Sequence, residues 1–276
     1  MAAQFKAAGY LLVPFGDACD VVVIHGCSVT SRAEHESVRL ARTARRQAGG
    51  PFVVLAGCAA VVVSTDSGAR SQASKAADLF ADQDMKFNLP DAVRARRGTG
   101  TGPLPAARPV LPHFTTTRPI LKAQDGCDCG CAYCIVPATR GRSTSRPLEQ
   151  VVEEARALGA AGFREIVLTG ANLGHYRDGD RRLVDLLRAV DRAREIVRFR
   201  ISSLEPATCE REVIDFMTTS SKLCRYLHIP LQVGHDGLLL SMGRRYKTAE
   251  YKDVVAYALS RLGRVGLGTD LIAGLP

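Results

Sequence analysis

Four of the nine cysteines fall within eight residues, Cys127-Asp128-Cys129-Gly130-Cys131-Ala132-Tyr133-Cys134. Thiolates bind thiophilic metals, so such a density in one short stretch points to metal chemistry. Cys127, Cys131 and Cys134 stand in C-x3-C-x2-C spacing, which lets three thiolates curl round a single object. Three thiolates on a 4Fe–4S cube leave one iron without a protein ligand. An iron left open in this way is a place for chemistry, whereas an electron carrier normally has all four irons tied to the protein. The same stretch also admits a zinc knuckle built from Cys129, Cys131, Cys134 and one further ligand, although no second Cys/His pair follows at zinc-module spacing. Cys129 lies between two members of the first set, and in an extended loop its side chain is expected to point away from them.

The elements that must position these thiols can be read from apolar periodicity. Asp20 to Ile24 and Phe52 to Ala56 are valine-rich, largely apolar runs, expected as parallel strands buried on both faces, with a polar helix from about Ser31 to Gln47 between them. Each strand delivers a Gly-Cys pair at its carboxyl end, Gly26-Cys27 and Gly57-Cys58, where ligands of open α/β sheets bind. Cys19 precedes the first strand and so belongs to the opposite end of the sheet. Arg39, Arg42 and Arg46 make a basic stripe on the helix, readable as a solvated face or as a phosphate contact. Residues 94–117 mix Gly, Pro, Thr and Arg without an apolar period and read as an inter-domain linker.

From Arg118 onward, strands and helices alternate. Strands are expected over Arg118–Gln124, Glu165–Leu168, Phe199–Ser202, Leu227–Leu231 and Leu267–Ala273. Helices are expected after Pro147 and over Leu183–Arg194, Cys209–Met217 and Thr248–Leu262. The fold class is therefore α/β: an N-terminal open parallel α/β domain (1–93), then an incomplete (βα) partial barrel (118–276) whose site lies at the strands' carboxyl ends. Gly170, Asn172, Ser203, Glu205, His228, Pro230 and Gln232 all fall at those ends.

The formal charge of +9, from 37 Lys+Arg against 28 Asp+Glu, makes an anionic partner plausible. The longest apolar run, Phe52 to Val63, is far short of a membrane span of ~20 residues. Nine cysteines with no secretory leader point to a reducing compartment, expected to be the cytoplasm.

C-x3-C-x-aromatic-C followed by IVPATRGRSTSRPLEQVVEEARALGAAGFREIVLTGANLGHY resembles the methylthiotransferase branch of the radical S-adenosylmethionine enzymes. HGCSVTSRAEHESVRLARTARRQ and VVLAGCAA resemble that branch's N-terminal segments, with His25-Gly26 where Asn-Thr is usual. The resemblance implies a 4Fe–4S cluster on Cys127, Cys131 and Cys134, and S-adenosylmethionine on its open iron. It places Tyr133 beside the adenine, with Gly170, Asn172, Ser203, Glu205 and Gln232 around the cofactor. It implies a second 4Fe–4S cluster with Cys27 and Cys58 as two of its three ligands. The third cysteine of the family pattern lies in a strand ahead of the first helix, and this chain opens on what looks like that helix. The chain is accordingly expected to be shortened at both ends and to hold the second cluster poorly. The implied partners are tRNA near its anticodon and an electron-donor protein. LTGANLGHY and SSLEPATCEREVIDFM most resemble the branch acting on threonylcarbamoyladenosine. Branches acting on isopentenyladenosine or on a ribosomal protein are alternatives within the family, and a non-catalytic Fe–S or zinc RNA-binding fragment is one outside it.

Overall fold

In the computed structural model, which describes residues 1–65, 75–82, 85–98 and 117–274, the chain divides into two units, residues 1–113 and 114–276. The first contains α1 (Ala2–Ala7), β1 (Val21–Gly26), α2 (Ser31–Arg45), β2 (Phe52–Gly57), α3 (Cys58–Thr65), β3 (Leu79–Ala81) and α4 (Leu89–Arg97). The strands pair in parallel in the order β1-β2-β3, with Val21 opposite Phe52 and Gly26 opposite Gly57. β2 is central and buried from Val53 to Gly57, as a strand covered on both faces must be. β1 is an edge strand among the described residues, and its burial alternates, with Val22, Ile24 and Gly26 inward and His25 exposed. Burial on both faces therefore holds for β2 and not for β1.

One face of this sheet sets Val22, Ile24, Val53 and Leu55 against Ala41 and Ala44 of α2. The other sets Val54, Ala56, Leu79 and Ala81 against Phe5 of α1 and Leu89 and Val93 of α4. Neither α3 nor α4 was legible in the periodicity. α3 runs straight on from an apolar strand with no polar break, and α4 falls partly in the stretch expected as linker. Arg94–Arg97 form the last turn of α4, which Gly98 closes in the left-handed conformation. The first residues of the expected 94–117 linker are thus helical, and residues 99–116 lie outside the described residues.

The second unit contains β4 (Ile120–Lys122), β5 (Gln124–Asp125), α5 (Val136–Arg140), β6 (Thr144–Ser145), α6 (Leu148–Ala160), β7 (Glu165–Thr169), β8 (Arg177–Asp178) and β9 (Arg181–Arg182). It continues with α7 (Leu183–Arg192), β10 (Arg198–Ile201), α8 (Arg211–Thr219), β11 (Tyr226–His228), α9 (Asp236–Ser241), α10 (Thr248–Leu262) and β12 (Gly266–Gly268). β4, β7 and β10 pair in parallel in chain order. A parallel bridge from Phe199 to Leu223 carries the wall on to the parallel pair β11–β12. The five expected strands are present as the wall of a partial barrel. The last two are shorter than expected because pairing turns irregular after His228. There Ile229 N–H still donates to Gly268 O (2.9 Å), but Leu231 N–H goes to the Thr269 hydroxyl (2.9 Å).

At the amino end of this wall, one carboxylate serves three cations. Glu165 lies 2.6 Å from Arg200, 2.7 Å from Arg198 and 3.8 Å from Arg118, with its own side chain 8% exposed. Burial pushes its pKa up, but the three guanidinium groups outweigh that and hold it below the usual carboxylate value. A depressed folded-state pKa gives stability that is complete above about pH 4.3 and drains away as pH falls below it. Glu165→Ala is expected to cost about 2 kcal/mol at pH 7, less than a fully buried pair would, because the arginines are partly solvated. It should also flatten the acid limb of stability against pH. Urea titrations at pH 7 and below pH 4 check both, and unchanged stability at pH 7 would refute the bridge's role.

Candidate functional site

The cysteine loop leaves β5 through a turn that only glycine can make. Gly126 has φ 69°, and a Cβ there would lie 2.0 Å from Arg142 O. Backbone bonds then pin the loop at three points. Cys127 N–H donates to Gly141 O (3.2 Å), Ala132 N–H to Met242 O just past α9 (2.9 Å), and Cys134 N–H to Cys131 O (3.0 Å). All four cysteines of the loop are half-buried, and none of the chain's nine is in a disulfide. Burial raises the Cys131 thiol; Arg244 opposes this, while Glu205, Cys134 and Cys127 add to it. Cys127, Cys131 and Cys134 are thus soft donors on one fixed loop, and this donor set fits a thiophilic cluster.

Cys129 does not point away. The loop sets Cys129 against Cys127, and Gly130, at φ 64°, turns the chain just after it. Cys129 N–H lies 3.5 Å from Cys127 Sγ. A hydrogen bond from the Cys129 thiol brings the Cys127 pKa down to about 6, and the same contact drives that of Cys129 up.

Behind the loop sits Gln124, 1% exposed. Its Nε2 donates to Asp125 O (2.9 Å), Gly126 O (2.8 Å) and Ser143 Oγ (2.9 Å), and its Oε1 accepts from Asn172 N–H (2.9 Å). One carboxamide thereby ties the entry of the loop to the carboxyl end of β7. Gly170 is what lets it approach, since a Cβ there would lie 2.6 Å from Gln124 Oε1. Asn172 is itself buried. Its Oδ1 accepts from Thr208 (3.1 Å), and its Nδ2 lies 3.5 Å from both Cys129 Sγ and His175 Nδ1.

The remaining strand ends converge on the same side. Ser203 Oγ is 2.6 Å from His228 Nδ1, and His228 Nε2 is 3.4 Å from Asp270. The Arg244 side chain is 5% exposed and forms an ion pair with Glu205 and a hydrogen bond with the Tyr133 hydroxyl. Its guanidinium lies 5.6 Å from the centre of the Tyr133 ring, which orients an otherwise half-exposed aromatic. Gln232 adopts φ 66° without being glycine, held by Asp270 O and Ile272 N–H at 2.8 Å each. Such backbone strain concentrates at functional sites. Pro230 and Leu231 carbonyls accept from the buried Tyr246 hydroxyl (3.1 and 2.8 Å).

In the first unit, Cys27 and Cys58 follow the paired residues Gly26 and Gly57, so both stand at the carboxyl end of neighbouring strands. Cys27 is exposed and Cys58 is buried at the start of α3. Gly57 is required there: it has φ 84°, and a Cβ would lie 2.5 Å from Gly26 O. Cys19 precedes β1 and packs partly against the core.

Gln124, His175, Arg244 and Asp270 escaped the sequence reading. Gln124 hides inside an expected strand, and a buried Arg is indistinguishable by periodicity from a solvated one. His235 caps α9 by accepting from Leu238 N–H (3.3 Å). Among the described residues no helix is long and apolar enough to cross a membrane.

Residues 121–276 match the model of the Radical SAM superfamily, and residues 1–79 that of the Uncharacterized protein family UPF0004. The threonylcarbamoyladenosine tRNA methylthiotransferase MtaB of Thermotoga maritima is 31% identical, over 100% of this chain and 64% of its own length. The enzyme of the same name from Bacillus subtilis is 34% identical, over 99% and 62%. The tRNA-2-methylthio-N(6)-dimethylallyladenosine synthase of Paraburkholderia phytofirmans is 28% identical, over 98% and 62%. The chain thus spans less than two thirds of the length of these relatives. Among solved structures, the radical S-adenosylmethionine methyltransferase TsrM of Kitasatospora setae, with tryptophan and an S-adenosylmethionine analogue, superposes with TM-score 0.63. It is 15% identical over 98% of this chain and 58% of that one, which shows the fold.

Proposed function

The chain belongs to the radical SAM superfamily, in its methylthiotransferase branch, and from that premise we propose that it acts as a tRNA methylthiotransferase. In this reading it inserts sulfur and transfers a methyl group at C2 of N6-threonylcarbamoyladenosine beside the anticodon. The observation that carries the proposal is the pinned loop presenting Cys127, Cys131 and Cys134 at the carboxyl ends of a parallel barrel wall. Sequence likeness to relatives named for tRNA methylthiolation supports the reaction class.

Cys127, Cys131 and Cys134 would hold a 4Fe–4S cluster, which would supply the one-electron reduction of S-adenosylmethionine that radical chemistry on a substrate needs. The chain's own residues bind and orient. Tyr133, fixed by Arg244, offers a flat face to the adenine. Ser203, Glu205 and Gln232 line the strand ends where the ribose and amino groups of that cofactor belong. Gly170 and Asn172 act one step back, through Gln124, by keeping the loop in place. Cys27 and Cys58 offer two thiolates, too few to hold a second cluster firmly, so one cluster per chain is expected, and an electron-donor protein supplies the reducing equivalents.

The test is anaerobic reconstitution with iron and sulfide, then reaction with S-adenosylmethionine, a reductant and undermodified tRNA carrying threonylcarbamoyladenosine. Expected are 5′-deoxyadenosine and a methylthiolated nucleoside in the tRNA digest. Product only from tRNA carrying the dimethylallyl modification would shift the assignment to the other tRNA branch, and no 5′-deoxyadenosine at all would refute radical chemistry.

A further inference from the structure

Cys129 and His175 are left over from the cysteine triplet, and the fold sets both against Cys127. The two Sγ atoms and a ring nitrogen of His175 all lie within 4.8 Å of one another, on residues that are half-buried. With Zn–S about 2.3 Å and Zn–N about 2.0 Å, ligand atoms of a tetrahedral zinc stand about 3.5–3.8 Å apart. Closing the set therefore needs a movement of roughly 1 Å, within reach of small rotamer adjustments.

The surroundings are those of a metal site. Asn172, buried and anchored through Thr208 and Gln124, donates from its Nδ2 toward Cys129 Sγ at 3.5 Å. Metal ligands are ordinarily oriented by such outer hydrogen bonds. His175 ends a 3-10 turn, Leu173–His175, whose N–H bonds back to Asn172 O (3.0 Å), so the imidazole comes from a fixed backbone. Two thiolates with one imidazole form a donor set that suits zinc, and three protein ligands on a half-buried site leave the fourth position to water.

We propose that Cys127, Cys129 and His175 form a zinc(II) site, and that zinc there excludes a cluster on Cys127, Cys131 and Cys134 because both require the Cys127 sulfur. Only the exclusion rests on the cluster reading; the zinc site stands without it. Binding releases the thiol protons to solvent and involves no redox step. The consequence is a metal-dependent resting state, in which zinc occupancy holds the loop ordered but closed to iron.

The test uses the full chain, iron-free and anaerobic, titrated with cobalt(II) as a spectroscopic probe for zinc. Thiolate-to-cobalt charge transfer and tetrahedral d–d bands should saturate at one equivalent and disappear when zinc is added. Cys129→Ala and His175→Gln should each weaken cobalt binding about tenfold or more, and Cys134→Ala should leave it unchanged. Unchanged affinity in the first two, or its loss in Cys134→Ala, overturns the assignment. In a second arm, one equivalent of zinc added before reconstitution should lower iron uptake by the parent chain but not by Cys129→Ala. Equal inhibition in both overturns the exclusion, and iron uptake by Cys129→Ala without zinc shows that this variant folds. If the parent takes up no iron at all, the proposed function fails while the cobalt titration still decides the zinc site.

Discussion

Gln124→Leu is expected to strip the chain of iron as thoroughly as the loss of a cysteine would, without touching a thiol. Leucine fills similar space but offers no polar atom. The substitution leaves the Asp125 and Gly126 carbonyls and the Asn172 N–H without the bonds that Gln124 now supplies. At about 1–3 kcal/mol for each buried group left unsatisfied, the total for the three is about 3–9 kcal/mol. That is a large part of the stability of an ordinary domain. The chain can escape the penalty only by letting water reach those groups, which means opening the loop entry and moving Cys127 away from Cys131 and Cys134. Iron per chain after anaerobic reconstitution should fall from about four to near zero. Ser143→Ala, which removes one of the four bonds, should keep its iron. About four irons in Gln124→Leu would show that the loop's backbone bonds suffice without the carboxamide.

Arg244 is the site of the second large effect. Its side chain is 5% exposed, Glu205 is its only ion-pair partner among the described residues, and its Nε is buried with no hydrogen-bond partner there. Glu205→Gln would leave that cation without an anion, and breaking a buried pair on one side costs about 3–5 kcal/mol. Arg244→Met would leave the Glu205 carboxylate uncompensated and release the Tyr133 ring. The double replacement, Glu205→Gln with Arg244→Met, should recover most of the stability, because no charge then remains to be desolvated. It should not recover S-adenosylmethionine binding, since Tyr133 loses the group that orients it. Thermal denaturation and equilibrium dialysis with labelled S-adenosylmethionine separate the two roles. Binding retained in the double variant would make the pair purely structural, and a double as unstable as the singles would show that the two residues do not act as a unit.

The fold class follows from the order of residues alone, because its signals are local. The apolar runs at Val21–Ile24 and Phe52–Ala56 can be satisfied only as strands that bury at least one face. Apolar stripes such as Val151, Val152, Ala155 and Leu158 can be satisfied only as helices packed on such a sheet. The alternation of these patterns after residue 118 then dictated a parallel wall with its polar ends on one side. The cysteine spacing was legible for the same reason: ligands close in sequence need no tertiary information to be recognised as a set.

Which side chains hold that loop, and which are spent elsewhere, depends on contacts between residues far apart in the chain. Gln124 and Asn172 are 48 residues apart, and Arg244 and Tyr133 are 111 apart. No periodicity encodes such meetings, because each depends on how several strands are registered at once. The orientation of Cys129 was decided in the same way. Its sequence neighbours alone suggested an extended path, but in the loop tied to Gly141 and Met242 it lies against Cys127 and His175. Spacing fixes which thiols can share a ligand, whereas the long-range hydrogen bonds fix which of them face each other.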